Sequence, residues 1–113
     1  MAKKTSRDEI PSGTLDVLIL ATLSRVDELH GFEIAEAIQD QSEEVLRVEE
    51  GSLYPALQRL LVKEWIADDW GHTSENCRAR YYRLTAAGRK QLEREVERYW
   101  RVARAIAQVL LPA

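Results

Sequence analysis

Ser52, Tyr54, Gln58, Arg59 and Lys63 lie on one side of a helical repeat, with Leu53, Ala56, Leu57, Leu60 and Leu61 on the other. The polar side consists of hydroxyl, amide and cationic groups, with no carboxylate before Glu64. No nucleophile–base pair at a known spacing stands among them. The set can hydrogen-bond to base edges and neutralise phosphates. A second cationic group, Arg78, Arg80 and Arg83, follows in a segment of period two, where Tyr82 and Leu84 alternate with Tyr81 and Arg83. Ser52 and Tyr54 fall at the start of the expected helix, where free N–H groups and side chains first meet a duplex. Gln58 suits an adenine edge, Arg59 a guanine edge or a phosphate, and Lys63 at most a phosphate. The competing reading of Arg59 is a solvated residue paired with an acid, and that of Tyr54 is packing beneath the strand pair.

These groups need elements to hold them. Leu15, Leu18, Ile19, Thr22 and Leu23 predict a first helix over 13–24, opened by Ser12 or Gly13. His30-Gly31 leads into a second, with Ile34, Ala35 and Ile38 inward. Val45–Val48 is a short strand or an extended connector. A third helix over 52–64 follows, with Gly51 and Ser52 at its start and Pro55 in its first turn. Ile66–Trp70 and Arg78–Leu84 form two strands joined by the polar loop 71–77, with Trp65, Tyr81 and Tyr82 as packing residues. The resulting fold class is mainly α with a small antiparallel β wing, a winged helix-turn-helix followed by one long helix.

That last helix opens at Thr85 and carries Leu92, Val96, Tyr99, Ala103, Ile106 and Leu110 at spacings of 4, 3, 4, 3 and 4. Trp100 and Ala107 widen the seam. At roughly 25 residues, about 37 Å, it outreaches a domain of this size and calls for a second copy along its distal part. Val96, Tyr99, Trp100, Ala103, Ile106 and Leu110 are therefore the expected dimerisation residues. Tyr99 and Trp100 are candidates to line a pocket for a small aromatic effector, against the plainer reading that Trp100 only fills the interface. The division expected is a flexible arm over 1–12, a winged helix-turn-helix over 13–84 and a dimerisation helix over 85–113.

Composition narrows the classes further. The chain has 113 residues and a net charge of −3, but the charge is segregated. Residues 27–50 hold nine carboxylates against Arg47, a local charge of −8, which leaves +5 elsewhere. A single cysteine, Cys77, excludes an internal disulfide and fits a reducing cytoplasm. Cys77, His30 and His72 are too scattered for a metal site, and no phosphate loop or nucleophile–base pair is present, so neither metal, cofactor nor enzyme activity is expected. Val17–Ala21 is too short to span a bilayer, and no signal peptide is visible, so no membrane partner is expected.

Four stretches in order resemble the PadR family of bacterial transcriptional regulators: Gly13-Thr14-Leu15-Asp16, His30-Gly31-Phe32-Glu33-Ile34, Gly51-Ser52-Leu53-Tyr54-Pro55-Ala56-Leu57 through Arg59-Leu60, and Tyr82-Arg83-Leu84-Thr85-Ala86-Ala87-Gly88. The resemblance covers residues 13–90 and implies a homodimeric repressor that leaves a roughly palindromic double-stranded DNA operator when an effector or other signal acts. It also implies the short form of the family, with one dimerising helix. A reading from a different class is a winged helix used as a protein-interaction module, with the acidic 27–50 segment as its contact surface and no DNA binding.

Overall fold

A segment with apolar residues at helical spacing becomes a helix by burying that side, and three such segments build the core of this protein. The computed structural model describes residues 8–11 and 13–112. Helices α1 (Leu15–Leu23), α2 (Gly31–Gln41) and α3 (Glu50–Val62) surround a core of Ile19, Leu20, Leu23, Ile34, Leu53, Leu57 and Leu60, each almost fully buried. Each such side chain contributes about 1.5–3 kcal/mol on leaving water. Ile66 and Tyr82 close this core from the sheet side. The expected apolar stripes of all three helices are the ones that are buried.

The strands are β1 (Asp8–Glu9), β2 (Leu29–His30), β3 (Leu46–Arg47), β4 (Ile66–His72) and β5 (Arg78–Leu84). They form a three-stranded antiparallel sheet in the order β2-β5-β4 and a separate parallel pair β1-β3. The strand β2 is not legible in the sequence, because two residues beside a turn carry no periodicity. The connector after α2 is a strand only at Leu46–Arg47, where it pairs with Asp8–Glu9. Of the arm expected over 1–12, residues 1–7 and 12 lie outside the described residues, as does Ser12 as a helix opener. Residues 8–9 are strand.

Three boundaries differ from expectation. The first helix begins at Leu15 after Gly13, which sits at φ 83°, and Thr14 caps it without a side-chain bond. The third begins at Glu50 rather than 52, because Glu49 accepts the Ser52 and Leu53 N–H groups. Pro55 therefore falls in the second turn, inside the helix, and its missing N–H is one that would have bonded the Gly51 carbonyl. The hairpin is longer than read: Gly71 and His72 are strand, and only 73–77 turn. Thr73 Oγ1 accepts the N–H groups of Glu75 and Cys77, and Asn76 takes φ 63°, so local polar bonding holds the tip.

The long helix α4 (Ala86–Leu110) starts where Thr85 caps it, accepting the Gly88 N–H at 3.0 Å. Leu92 packs against the core, and α4 lies along α1. Beyond that its apolar residues are open: Val96, Tyr99, Trp100, Ile106 and Leu110 are all exposed. Among the described residues, no helix is long and apolar enough to cross a membrane.

Candidate nucleic-acid interface

The free surface of α3 follows from its buried one. With Leu53, Ala56, Leu57 and Leu60 inward, Tyr54, Pro55, Gln58, Arg59 and Val62 are left facing outward. Tyr54 is 46% exposed, and its hydroxyl edge lies against Gly31 so closely that a Cβ there would meet Tyr54 Oη at 2.8 Å. Gly31 is the first residue of α2, placed by a capping box in which His30 Nδ1 accepts the Glu33 N–H and Glu33 Oε1 accepts the His30 N–H. The orientation of Tyr54 is thus set by the N-terminus of the preceding helix.

Beside Tyr54 and Gln58 stands the wing. The register pairs Ile66 with Leu84, Asp68 with Tyr82, Trp70 with Arg80 and His72 with Arg78 on one face. That face begins in the core and continues outward on the α3 side. Tyr54, Gln58, Trp70, Arg78, Arg80 and Tyr82 line one open groove of about 460 Å³. Arg83 is on the opposite face, bonded to Asp69 at 2.6 Å. Pairing therefore separates Arg78 and Arg80 from Arg83. Burial pushes the Tyr82 hydroxyl up from its ordinary pKa, with Asp68 and Tyr54 adding to the rise and Arg80 opposing it.

The other sequence-predicted residues divide. Arg59 forks onto Asp16, with Nη2–Oδ1 at 2.7 Å and Nε–Oδ2 at 3.4 Å, and this bond raises its pKa further. Ser52 lies on the same flank as Arg59, in a separate groove of about 440 Å³ that Pro11 and Val48 also line. Lys63 is the C-cap of α3, its ammonium 4.7 Å above the Trp65 ring. Sequence reading passed over four contributors: Asp16, the Gly31 contact with Tyr54, and the exposed Pro55 and Val62. The last two were recoverable from the helical repeat; the first two were not, because nothing local marks them.

On α4, Tyr99 and Trp100 meet edge to face at 5.3 Å. Tyr99, Val102, Ala103 and Ile106 line an open cavity of about 490 Å³ against Thr14 and Val17 of the α1 end, with Trp100 outside it. Cys77 is exposed at the wing tip. Among the described residues, no three His, Cys, Asp or Glu side chains come together as a metal site.

Three helices, a hairpin leaning over the third, and a groove between them define a winged helix-turn-helix protein. Residues 19–94 match the sequence model of the "Transcriptional regulator PadR-like family". The chain belongs to that family and is a PadR-family transcriptional regulator. A transcriptional regulator from Clostridium thermocellum has the same fold at a TM-score of 0.79 and 27% identity, over 88% of this chain and 95% of that one. A PadR family transcription regulator from hypervirulent Clostridium difficile is 31% identical at a TM-score of 0.74, over 88% of this chain and 100% of that one. Bacillus subtilis PadR, solved in complex with operator DNA, shares the fold at a TM-score of 0.66 and 22% identity, over 77% of this chain and 48% of that one.

Proposed function

We infer that this regulator is a cytoplasmic homodimer that represses by binding a roughly palindromic DNA operator and is released by a small aromatic effector or another signal. The observation that carries the reading is the shared groove, in which the free face of α3 and the inner face of the wing present donors and cations toward one space. In this reading α3 of each subunit enters the major groove, the two copies spaced about 34 Å apart. Tyr54 and Gln58 meet base edges and the sugar-phosphate close to them, while Arg78 and Arg80 meet flanking phosphates. Ser52 and Lys63 border this surface and serve phosphate contacts, and Arg59, held by Asp16, joins them only when that pair opens. The exposed seam from Val96 to Leu110 joins the two copies. An effector seated beside Tyr99, or between Tyr99 and Trp100 of the assembled pair, tilts α4 and changes the spacing of the two readers, which weakens two-site binding.

The test is retardation of duplex DNA from the region upstream of its own gene, across a salt series. Affinity is expected to fall steeply as salt rises. Tyr54→Ala with Gln58→Ala should weaken binding on the order of a hundredfold while leaving the subunit assembly unchanged. If the double variant binds like the parent, α3 is not the reader. If the parent retards no duplex, the interaction-module reading takes its place.

A further inference from the structure

We propose that Trp70 is a positioning residue for DNA binding, holding the flat faces of Arg78 and Arg80 so that the N–H groups not already given to neighbouring side chains stay open to phosphate. The inference rests on the DNA-binding reading above and adds a residue to it. Trp70 is 55% exposed on a strand that projects from the core, a costly place for an indole with no task. Two of its neighbours on that face are arginines. Arg80 lies directly opposite it across the hairpin and Arg78 diagonally, opposite His72. The Arg78 guanidinium carbon is 4.1 Å from the ring centroid and that of Arg80 is 5.0 Å. Both are within the reach of a cation–π contact.

How an arginine is held decides what it can still do. Arg59 and Arg83 are held by Asp16 and Asp69, which occupy the N–H edge that a phosphate would use. Arg80 is ion-paired with Asp68 at 3.1 Å and hydrogen-bonds the Tyr82 hydroxyl, so part of its fork remains, whereas Arg78 has no acid partner among the described residues. An aromatic ring takes the flat face of a guanidinium and leaves the planar fork of donors open. Trp70 therefore removes rotamer freedom from two long side chains before DNA arrives, without using the groups that DNA needs. A carboxylate in its place would order the arginines and neutralise them together.

The experiment measures duplex affinity and its salt dependence for the full chain, using the upstream duplex and an unrelated duplex. Trp70→Ala and Trp70→Leu should each weaken binding about five- to thirtyfold, and Trp70→Phe should stay within about threefold of the parent. Leucine keeps apolar bulk on the strand, so a loss in that variant follows from the missing ring face and not from a collapsed hairpin. The salt slope should stay at the parental value in the Trp70 variants, because the phosphate contacts are still made, whereas Arg78→Ala should lower it by about one. In an Arg78→Ala/Arg80→Ala background, Trp70→Leu should cost nothing more. A Trp70→Leu protein that binds like the parent overturns the inference. A loss that persists without the two arginines also overturns it, since Trp70 would then touch DNA itself. A parent that binds neither duplex overturns both this inference and the function it rests on.

Discussion

At the scale of single residues, the Asp16–Arg59 pair decides what the reader helix can offer. Arg59 is the one guanidinium on α3, and it is held across 43 residues of sequence by a carboxylate in the first turn of α1. That position suits Asp16 for a second reason, because a negative charge is favourable at a helix N-terminus. The pair is solvent-exposed, so its contribution to stability is at most about 1 kcal/mol. Under the proposed function its effect on DNA binding is larger, since it cancels a cation beside α3. Asp16→Asn is expected to raise affinity for unrelated duplex about three- to tenfold and to steepen the salt slope by about one, with thermal stability nearly unchanged. Fluorescence anisotropy over a salt series reads both quantities. An unchanged slope would mean that Arg59 does not reach phosphate even when freed. The same scale explains why Tyr54 was only half legible. Its place on α3 follows from the helical repeat, whereas its seat on Gly31 depends on where α2 begins.

At the scale of elements, the end of α3 and the start of α4 are tied into one joint. Trp65 N–H bonds the Leu60 carbonyl and Glu64 N–H the Leu61 carbonyl, the paired pattern of a helix stop, with Glu64 at φ 63°. Thr85 then donates its hydroxyl to the Glu64 carbonyl at 2.7 Å and its N–H to the Trp65 carbonyl at 3.1 Å. Gly88 completes the joint. A Cβ there would lie 1.9 Å from the Trp65 carbonyl oxygen and 2.8 Å from Leu84 Cδ1. Since the first of these is backbone, the clash cannot be relieved by a side-chain rotation. Gly88→Ala should cost about 3 kcal/mol in denaturant unfolding. A variant as stable as the parent would show that α4 does not approach Trp65 so closely. The joint ties the start of α4 to the residues that open β4, and under the proposed release mechanism a tilt of α4 would reach the wing through it.

At the scale of the whole molecule, the proposed assembly rests on the open seam of α4 and the segregated charge. Val96, Tyr99, Ile106 and Leu110 form an apolar stripe on a helix whose opposite face carries arginines. The protein is expected to sediment as a dimer at micromolar concentration. Ile106→Glu should make it a monomer and lower operator affinity by a hundredfold or more, because two-site binding is lost. Analytical ultracentrifugation checks the first and DNA titration the second. A parent that sediments as a monomer would remove the proposed release mechanism. The modest positive charge outside the acidic 27–50 segment makes that dependence stronger. Asp16, Asp68 and Asp69 engage Arg59 of α3 and Arg80 and Arg83 of the wing.

Much of this was determined by the sequence alone: the four helices, the hairpin, the apolar stripe of α3, the seam of α4 and the family. Those features are written in spacings of two to four residues and in turn chemistry, which act locally whatever surrounds them. Tertiary structure decided the rest. It placed Trp70 opposite Arg80, through a hairpin register that depends on whether Gly71 and His72 pair. It put Arg83 on the outer face, joined Arg59 to Asp16, set Tyr54 on Gly31 and paired Leu29–His30 with β5. Each of these contacts joins residues far apart in the chain or turns on a one-residue choice of register. The energy that selects them comes from packing the whole core, and no local stretch of sequence carries it.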